Sequence, residues 1–177
     1  MDDKKKKVLV ILGNAGSGKT LFCNRLSRNL LMTYNDYLPL YGYLPMQKSK
    51  VENEFAELCL RDFRVDSNSD IVGYRNLLFI MDAFDEIQED YKINLIESNK
   101  LLSRFPNSKV VITCRTHEVF DMNNFVPFRG STPLIKKRTI LYVQPFGKNK
   151  IQEYVYKLSQ DPNKACLLYT SPSPRDS

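Results

Sequence analysis

The hydrophobic positions of this chain fall into short runs that alternate between two periods. Val8–Leu12, Leu77–Asp82 and Lys109–Thr113 are near-continuous apolar runs bounded by polar residues. That is the pattern of strands buried on both faces of a parallel sheet. Leu38–Leu44 and Thr139–Val143 complete a set of five predicted strands. Between the strands the period lengthens to that of helices. One helix is predicted over Lys19–Met32, with Phe22, Leu26 and Leu30 on its inward face, and a second over Val51–Asp62, carrying Val51, Phe55, Leu58 and Cys59. A third, over Asp90–Phe105, turns Ile93, Ile96 and Leu101 inward and is ended by Pro106. A last helix over Lys148–Ser159 is expected to bury Ile151, Tyr154, Val155 and Leu158. Such alternation predicts the α/β class: a three-layer α/β/α sandwich around a five-stranded, mainly parallel sheet. Asp121–Lys137 has Pro, Gly and basic residues without periodicity and reads as a long loop or short irregular helix.

The junction between the first strand and first helix carries the strongest chemical signal. Gly13-Asn14-Ala15-Gly16-Ser17-Gly18-Lys19-Thr20 fits the G-x-x-x-x-G-K-[ST] phosphate-binding loop without a mismatch, in strand–loop–helix context. Its glycines let the backbone curl so that successive N–H groups point at phosphate oxygens. The helix from Leu21 onward adds the positive end of its dipole. Lys19 can reach the β/γ-phosphates of a nucleotide and the Thr20 hydroxyl can ligate Mg²⁺. The expected nucleotide-contacting stretch is Gly13 to Leu21.

Composition narrows the classes without adding chemistry. The 177 residues are 42% hydrophobic and 26% charged, as in a soluble domain with a real core. No apolar run approaches the ~18 residues of a membrane span. The basic start followed by Val8–Leu12 echoes a secretory leader, but that run is too short and feeds directly into the phosphate loop. Cys23, Cys59, Cys114 and Cys166 are scattered, with no C-x-x-C spacing. This argues against zinc and for reduced thiols in a cytoplasmic protein. The net charge of +6 comes partly from Lys4–Lys7 and Lys136-Lys137-Arg138. Both clusters flank strands and lack interleaved stacking aromatics, so they read as solvated edges rather than a nucleic-acid surface.

The C-terminal segment breaks the pattern. Cys166–Asp176 resembles, residue for residue, the translated transposon-end adapter used to prepare sequencing libraries. It is therefore expected to stand outside the fold, with the natural sequence ending near Ala165 and the parent protein continuing past it. The expected organisation is a basic flank over 1–7, one nucleotide-binding domain over 8–160, and a disordered tail over 161–177.

Two further strand ends carry candidate site residues. Leu77–Asp82 is an apolar strand ending in a carboxylate, as a Walker B element does, and Asp85 and Glu86 follow at once. Asp82 can hold Mg²⁺. Either Asp85 or Glu86 can orient and polarise an attacking water. Val110–Arg115 is again a buried strand with polar residues at its carboxyl end, where ligands bind in open α/β sheets. Arg115 there can tell a triphosphate from a diphosphate by a charge-assisted contact.

With these motifs together, the chain resembles the NACHT branch of the signal-transduction ATPases with numerous domains. The resemblance rests on Gly13–Thr20, on Asp82-Ala83-Phe84-Asp85-Glu86 (a D-[GAS]-x-D-E block), on Thr113-Cys114-Arg115, and on Val143-Gln144-Pro145-Phe146 before a helix. Leu38-Pro39-Leu40-Tyr41 also looks like the family's second strand. The resemblance implies an additional-strand P-loop fold with the Arg115 strand between the phosphate-loop strand and the Asp82 strand. It also implies ATP/ADP and Mg²⁺ as cofactors. Lys19 and Thr20 would bind phosphate and metal, Asp82 the metal, Asp85 and Glu86 would serve hydrolysis, and Arg115 would be the sensor. The implied function is a slowly hydrolysing switch that controls self-association of a larger signalling protein. The family's helical and winged-helix modules have no counterpart in these residues. A small-molecule or nucleotide kinase with a lid over Asp121–Arg138, and a non-catalytic nucleotide-holding scaffold, are the alternatives. No N-K-x-D element for guanine and no Ser-Gly-Gly-Gln signature is present.

Overall fold

Period-two alternation sorts the strand residues of this protein onto two buried faces. In the computed structural model, which describes residues 6–33, 36–46, 76–87, 94–119 and 138–159, β1 (Val8–Leu12) sends Val8, Val10 and Leu12 into one apolar cluster and Ile11 into another. β3 (Asn76–Asp82) divides likewise, with Leu77, Phe79 and Met81 on the first face and Leu78 and Ile80 on the second. β4 (Lys109–Cys114) places Val110, Ile112 and Cys114 against Val111. Continuous apolar runs are what a strand covered on both sides requires.

With β2 (Tyr37–Tyr43) and β5 (Arg138–Tyr142), the strands form one five-stranded sheet in the order β2-β3-β4-β1-β5. Every pairing is parallel, so the mainly parallel sheet expected from sequence is wholly so among the described residues. β4 lies between β1 and β3, the order that the family resemblance implies. All strand carboxyl ends therefore share one edge, and that edge carries the phosphate loop, the acidic block and Arg115.

α1 (Lys19–Met32) covers the second face through Cys23, Leu26 and Leu30. Phe22, expected inward, is 46% exposed, and the fully buried position is its neighbour Cys23. Residues spaced strictly four apart drift by about 40° at each step, because 3.6 residues complete a turn. Cys23, Leu26 and Leu30, spaced three and then four, follow the buried stripe instead.

The single helix expected over 90–105 is also corrected. Its described part is two short helices, α2 (Leu95–Ser98) and α3 (Leu101–Arg104), with Lys100 between them at φ 51°. The buried Asn99 side chain donates to the Leu95 carbonyl at 2.9 Å, offering the backbone an alternative to continued helix. Ile96 and Leu101 are buried on the first face as expected, and Ile93 lies outside the described residues. The helix expected over 51–62, the segment 121–137 and the tail from 160 also lie outside them.

The chain divides into two compact units, one ending at Val143 and the other beginning at Gln144. The second contains α4 (Lys148–Ser159), which carries an exposed Glu153–Lys157 ion pair at 2.6 Å. Ile151 and Tyr154, expected to be buried, are exposed, and the side chains of Val155 and Leu158 lie outside the described ones.

Candidate functional site

The phosphate-binding loop leaves β1 at Leu12, whose carbonyl accepts from the Val143 N–H at 2.7 Å, while the Gly13 N–H donates to the Cys114 carbonyl at 3.3 Å. These bonds tie the start of the loop to both neighbouring strands. A Cβ on Gly13 would lie 2.6 Å from Ser17 Oγ and 3.0 Å from Val143 Cβ, so the first glycine is set by close approach. Gly16 (φ 70°) and Gly18 (φ 88°) are set by conformation: both occupy the left-handed region. Gly18 is the residue at which α1 begins, and the first helical turn carries no acidic side chain. Its unpaired N–H groups and positive dipole end therefore face no internal anion from that turn. Lys19 Nζ donates to the Gly13 carbonyl at 2.7 Å and the Asn14 carbonyl at 3.0 Å, which folds the side chain back over the loop. Ser17 Oγ is buried with no hydrogen-bond partner among the described residues.

Across from the loop, Asp82 ends β3 and is wholly buried. Its Oδ1 accepts from the Thr113 hydroxyl and its Oδ2 from the Tyr41 hydroxyl at 3.0 Å. Thr113 Oγ1 in turn accepts the Ala83 N–H at 2.8 Å. Ala83 sits at φ 60°, ψ 49°, and this left-handed kink swings the chain from β3 into the short helical turn Phe84–Glu86. The Cβ clash of this region is worst for β-branched and bulky side chains, which is a physical reason against such a residue after Asp82.

Asp85 and Glu86 converge on one arginine. The Arg115 N–H donates to Asp85 Oδ1 at 3.0 Å, and its Nε contacts Asp85 Oδ2 at 2.8 Å. Its Nη2 reaches Glu86 Oε1 at 3.0 Å. Tyr43 closes the cluster, its hydroxyl donating to Glu86 Oε2 at 3.0 Å. The Asp85 side chain is nearly buried, whereas Arg115 and Glu86 reach the surface.

One cavity of about 270 Å³ is lined both by Ala15–Thr20 and by Asp82, Ala83, Asp85, Glu86, Thr113 and Arg115. Of the candidates named from sequence, Lys19, Thr20, Asp82, Asp85, Glu86 and Arg115 all reach it. Gly13 and Asn14 are not in the lining; their carbonyls accept from Lys19, which is. Leu21, in the first turn of α1, has an exposed side chain outside the lining.

Sequence reasoning assigned no role to Tyr41 and Tyr43. The signal available was a Tyr-Gly-Tyr alternation at the carboxyl end of a strand, which puts two phenols on one face beside the acid-bearing strand. Burial pushes the Tyr41 phenol well above its ordinary value, and the Asp82 charge adds to it. The Tyr43 phenol is raised chiefly by its bond to Glu86. Cys23, on the buried side of α1, is pushed up to about 12 by burial and then by Asp82. Among the described residues no three or more His, Cys, Asp or Glu side chains are arranged to hold a metal, and no helix is long and apolar enough to cross a membrane.

Comparison with known proteins bears on the family and the fold. The chain is 30% identical over 139 residues to an uncharacterized WD repeat-containing protein of Nostoc sp., covering 66% of this chain and 9% of that protein. Among solved structures it is similar to the ORC2 protein of Aeropyrum pernix in ADPNP-ADP complexes, at TM-score 0.56 and 13% identity, covering 89% of this chain and 49% of that one. C. elegans PCH-2 matches at TM-score 0.53 and 12% identity, covering 86% and 40%. Cdc6p of Pyrobaculum aerophilum matches at 0.51 and 17%, covering 86% and 43%. The chain thus spans less than half of each solved relative and about a tenth of the curated one, and the structural likeness is one of fold. The NACHT domain profile matches residues 7–162. With its phosphate-binding loop and all-parallel sheet, this chain belongs to the NACHT domain family, and it is a nucleotide-binding P-loop NTPase module.

Proposed function

We propose that this module binds ATP and ADP with Mg²⁺, hydrolyses ATP slowly, and serves as the nucleotide switch of a larger cytoplasmic signalling protein whose self-association it controls. The observation that carries the reading is the shared cavity, in which the anion-binding loop faces Asp82, Asp85, Glu86 and Arg115. The residues fit the implied cofactor. Thr20 and Asp82 are hard oxygen donors that line the same cavity, and Mg²⁺ needs only one or two protein ligands because it keeps most of its waters. When bound, Mg²⁺ would neutralise polyphosphate charge and polarise the terminal phosphoryl group. The complexes named for the Aeropyrum relative, ADPNP and ADP, support adenine nucleotides as ligands.

The chain's own residues then divide the work. The loop N–H groups and Lys19 bind and orient the polyphosphate. Asp85 and Glu86 orient the attacking water, and one of their carboxylate oxygens takes its proton. Arg115 holds both carboxylates, so a γ-phosphate competing for its guanidinium would loosen both acids at once. Triphosphate and diphosphate states would then differ in where Arg115 bonds, which is the difference a switch needs.

The same Arg115 contacts favour a second reading, a non-hydrolysing scaffold, because both Asp85 oxygens are already engaged. Phosphate release separates the two readings. The switch predicts slow turnover by the wild type that Glu86→Gln or Asp85→Asn suppresses while nucleotide binding persists. Binding without any turnover supports the scaffold. Transfer of phosphate to an added small molecule, with none released to water, supports a kinase.

A further inference from the structure

We propose that Tyr41 and Tyr43 are positioning residues of the nucleotide site, the first fixing the metal-side acid Asp82 and the second the water-side acid Glu86. The inference rests on the reading of this cavity as a Mg²⁺–nucleotide site. β2 is an edge strand with no part in the phosphate loop or the acidic block, yet it delivers two hydroxyls to two different acids. Register accounts for this. Tyr43 pairs with Asp82 and Tyr41 with Ile80, so the two phenols stand on one side of the sheet edge with the buried Gly42 between them.

Asp82 is consequently gripped from both neighbouring strands. Thr113 of β4 donates to Oδ1 and Tyr41 of β2 to Oδ2. A carboxylate with one donor on each oxygen cannot rotate about its terminal bond without breaking a bond. The two bonds therefore fix the orientation of a carboxylate that lines the cavity. Donors of this kind orient metal-ligating groups, and their removal typically costs roughly 10- to 100-fold in metal affinity or activity. Packing alone would be served equally by phenylalanine; what the hydroxyl adds is the bond to the acid. Tyr43 does the same for Glu86, whose other oxygen is on Arg115. That acid is more exposed, so its phenol governs the orientation of the water-side group rather than the metal.

The test compares Tyr41→Phe and Tyr43→Phe with the wild type, using a fluorescent ATP analogue titrated first in EDTA and then against Mg²⁺ at fixed analogue. Affinity in EDTA reports the fold and the phosphate loop, and the Mg²⁺ midpoint reports the metal side. The expected result is an unchanged EDTA affinity for both variants. The Mg²⁺ midpoint should rise roughly 10-fold for Tyr41→Phe only. Tyr43→Phe should keep the wild-type midpoint and release phosphate more slowly. An unchanged midpoint for Tyr41→Phe, in a protein whose wild type responds to Mg²⁺, overturns the inference and leaves the functional reading standing. So does a loss of EDTA affinity matching the loss in Mg²⁺, which marks a merely structural role. A wild type that takes up no analogue under either condition overturns the functional reading and this inference with it.

Discussion

Thr113→Val tests whether the acidic block is built on a single hydroxyl. The substitution keeps shape and volume while removing an oxygen that accepts the Ala83 N–H at 2.8 Å and donates to Asp82 Oδ1. Both Thr113 and Asp82 show no exposed surface, so bulk water does not compete for either bond. An orphaned buried N–H costs about 1–3 kcal/mol, and a lost bond to a charged acceptor about 1.5–3 kcal/mol. The two share one atom and do not add fully, which gives about 3 kcal/mol in total. For a domain of this size, each kcal/mol moves the melting temperature by about 2–4 °C, so Thr113→Val should melt about 6–12 °C lower. Thr113→Ser keeps the oxygen and loses one buried methyl, about 1 kcal/mol and about 2–4 °C. The assay is thermal unfolding without nucleotide, followed by circular dichroism. Serine melting as low as valine would refute the reasoning, because methyl burial and not the hydroxyl would then be holding the turn.

Other substitutions probe the remaining supports. Ala83→Gly should be tolerated within about 1 kcal/mol, since glycine accepts φ 60° freely, whereas Ala83→Val should destabilise by about 2 kcal/mol or more by urea unfolding. Gly13→Ala should both destabilise the fold and weaken nucleotide binding in a direct titration, because its Cβ meets Ser17 Oγ at 2.6 Å and the Val143 side chain at 3.0 Å. Cys23 gives the pH dependence. Its folded value of about 12 lies above the ordinary 9.0, so its contribution is complete below 9.0 and is lost as pH rises from there toward about 12. That loss is about 1.4 kcal/mol per pH unit. Unfolding free energies at pH 8 and 10 should show the decline in the wild type and a smaller one in Cys23→Ala. Lys19→Ala should abolish the rise in melting temperature on adding ATP, a rise worth about 4 kcal/mol at ~1,000-fold over Kd.

The strands and the chemistry were legible for different reasons. β1, β3 and β4 are buried on both faces, and an apolar run with no polar interruption admits few other readings. The phosphate loop was legible because each glycine answers a backbone demand that other residues meet badly. What stayed hidden depends on contacts between strands distant in sequence. Tyr41 and Asp82 are joined by sheet register: the Tyr-Gly-Tyr alternation puts both phenols on one face of β2, but only the pairing of β2 with β3 brings them to Asp82 and Glu86. Arg115 was expected to face phosphate, and its grip on Asp85 and Glu86 depends on a left-handed kink at Ala83 that no periodicity reveals. The break at Lys100 escaped for a similar reason. An asparagine can sit in a helix, and only its burial beside the Leu95 carbonyl made it a helix end.

A structure of the protein with a non-hydrolysable ATP analogue and Mn²⁺, the metal located by its anomalous scattering, tests the central claim most directly. The account predicts the polyphosphate within the Gly13–Thr20 loop and one manganese peak between Thr20 and Asp82. A nucleotide bound elsewhere, or a metal distant from both residues, would contradict it.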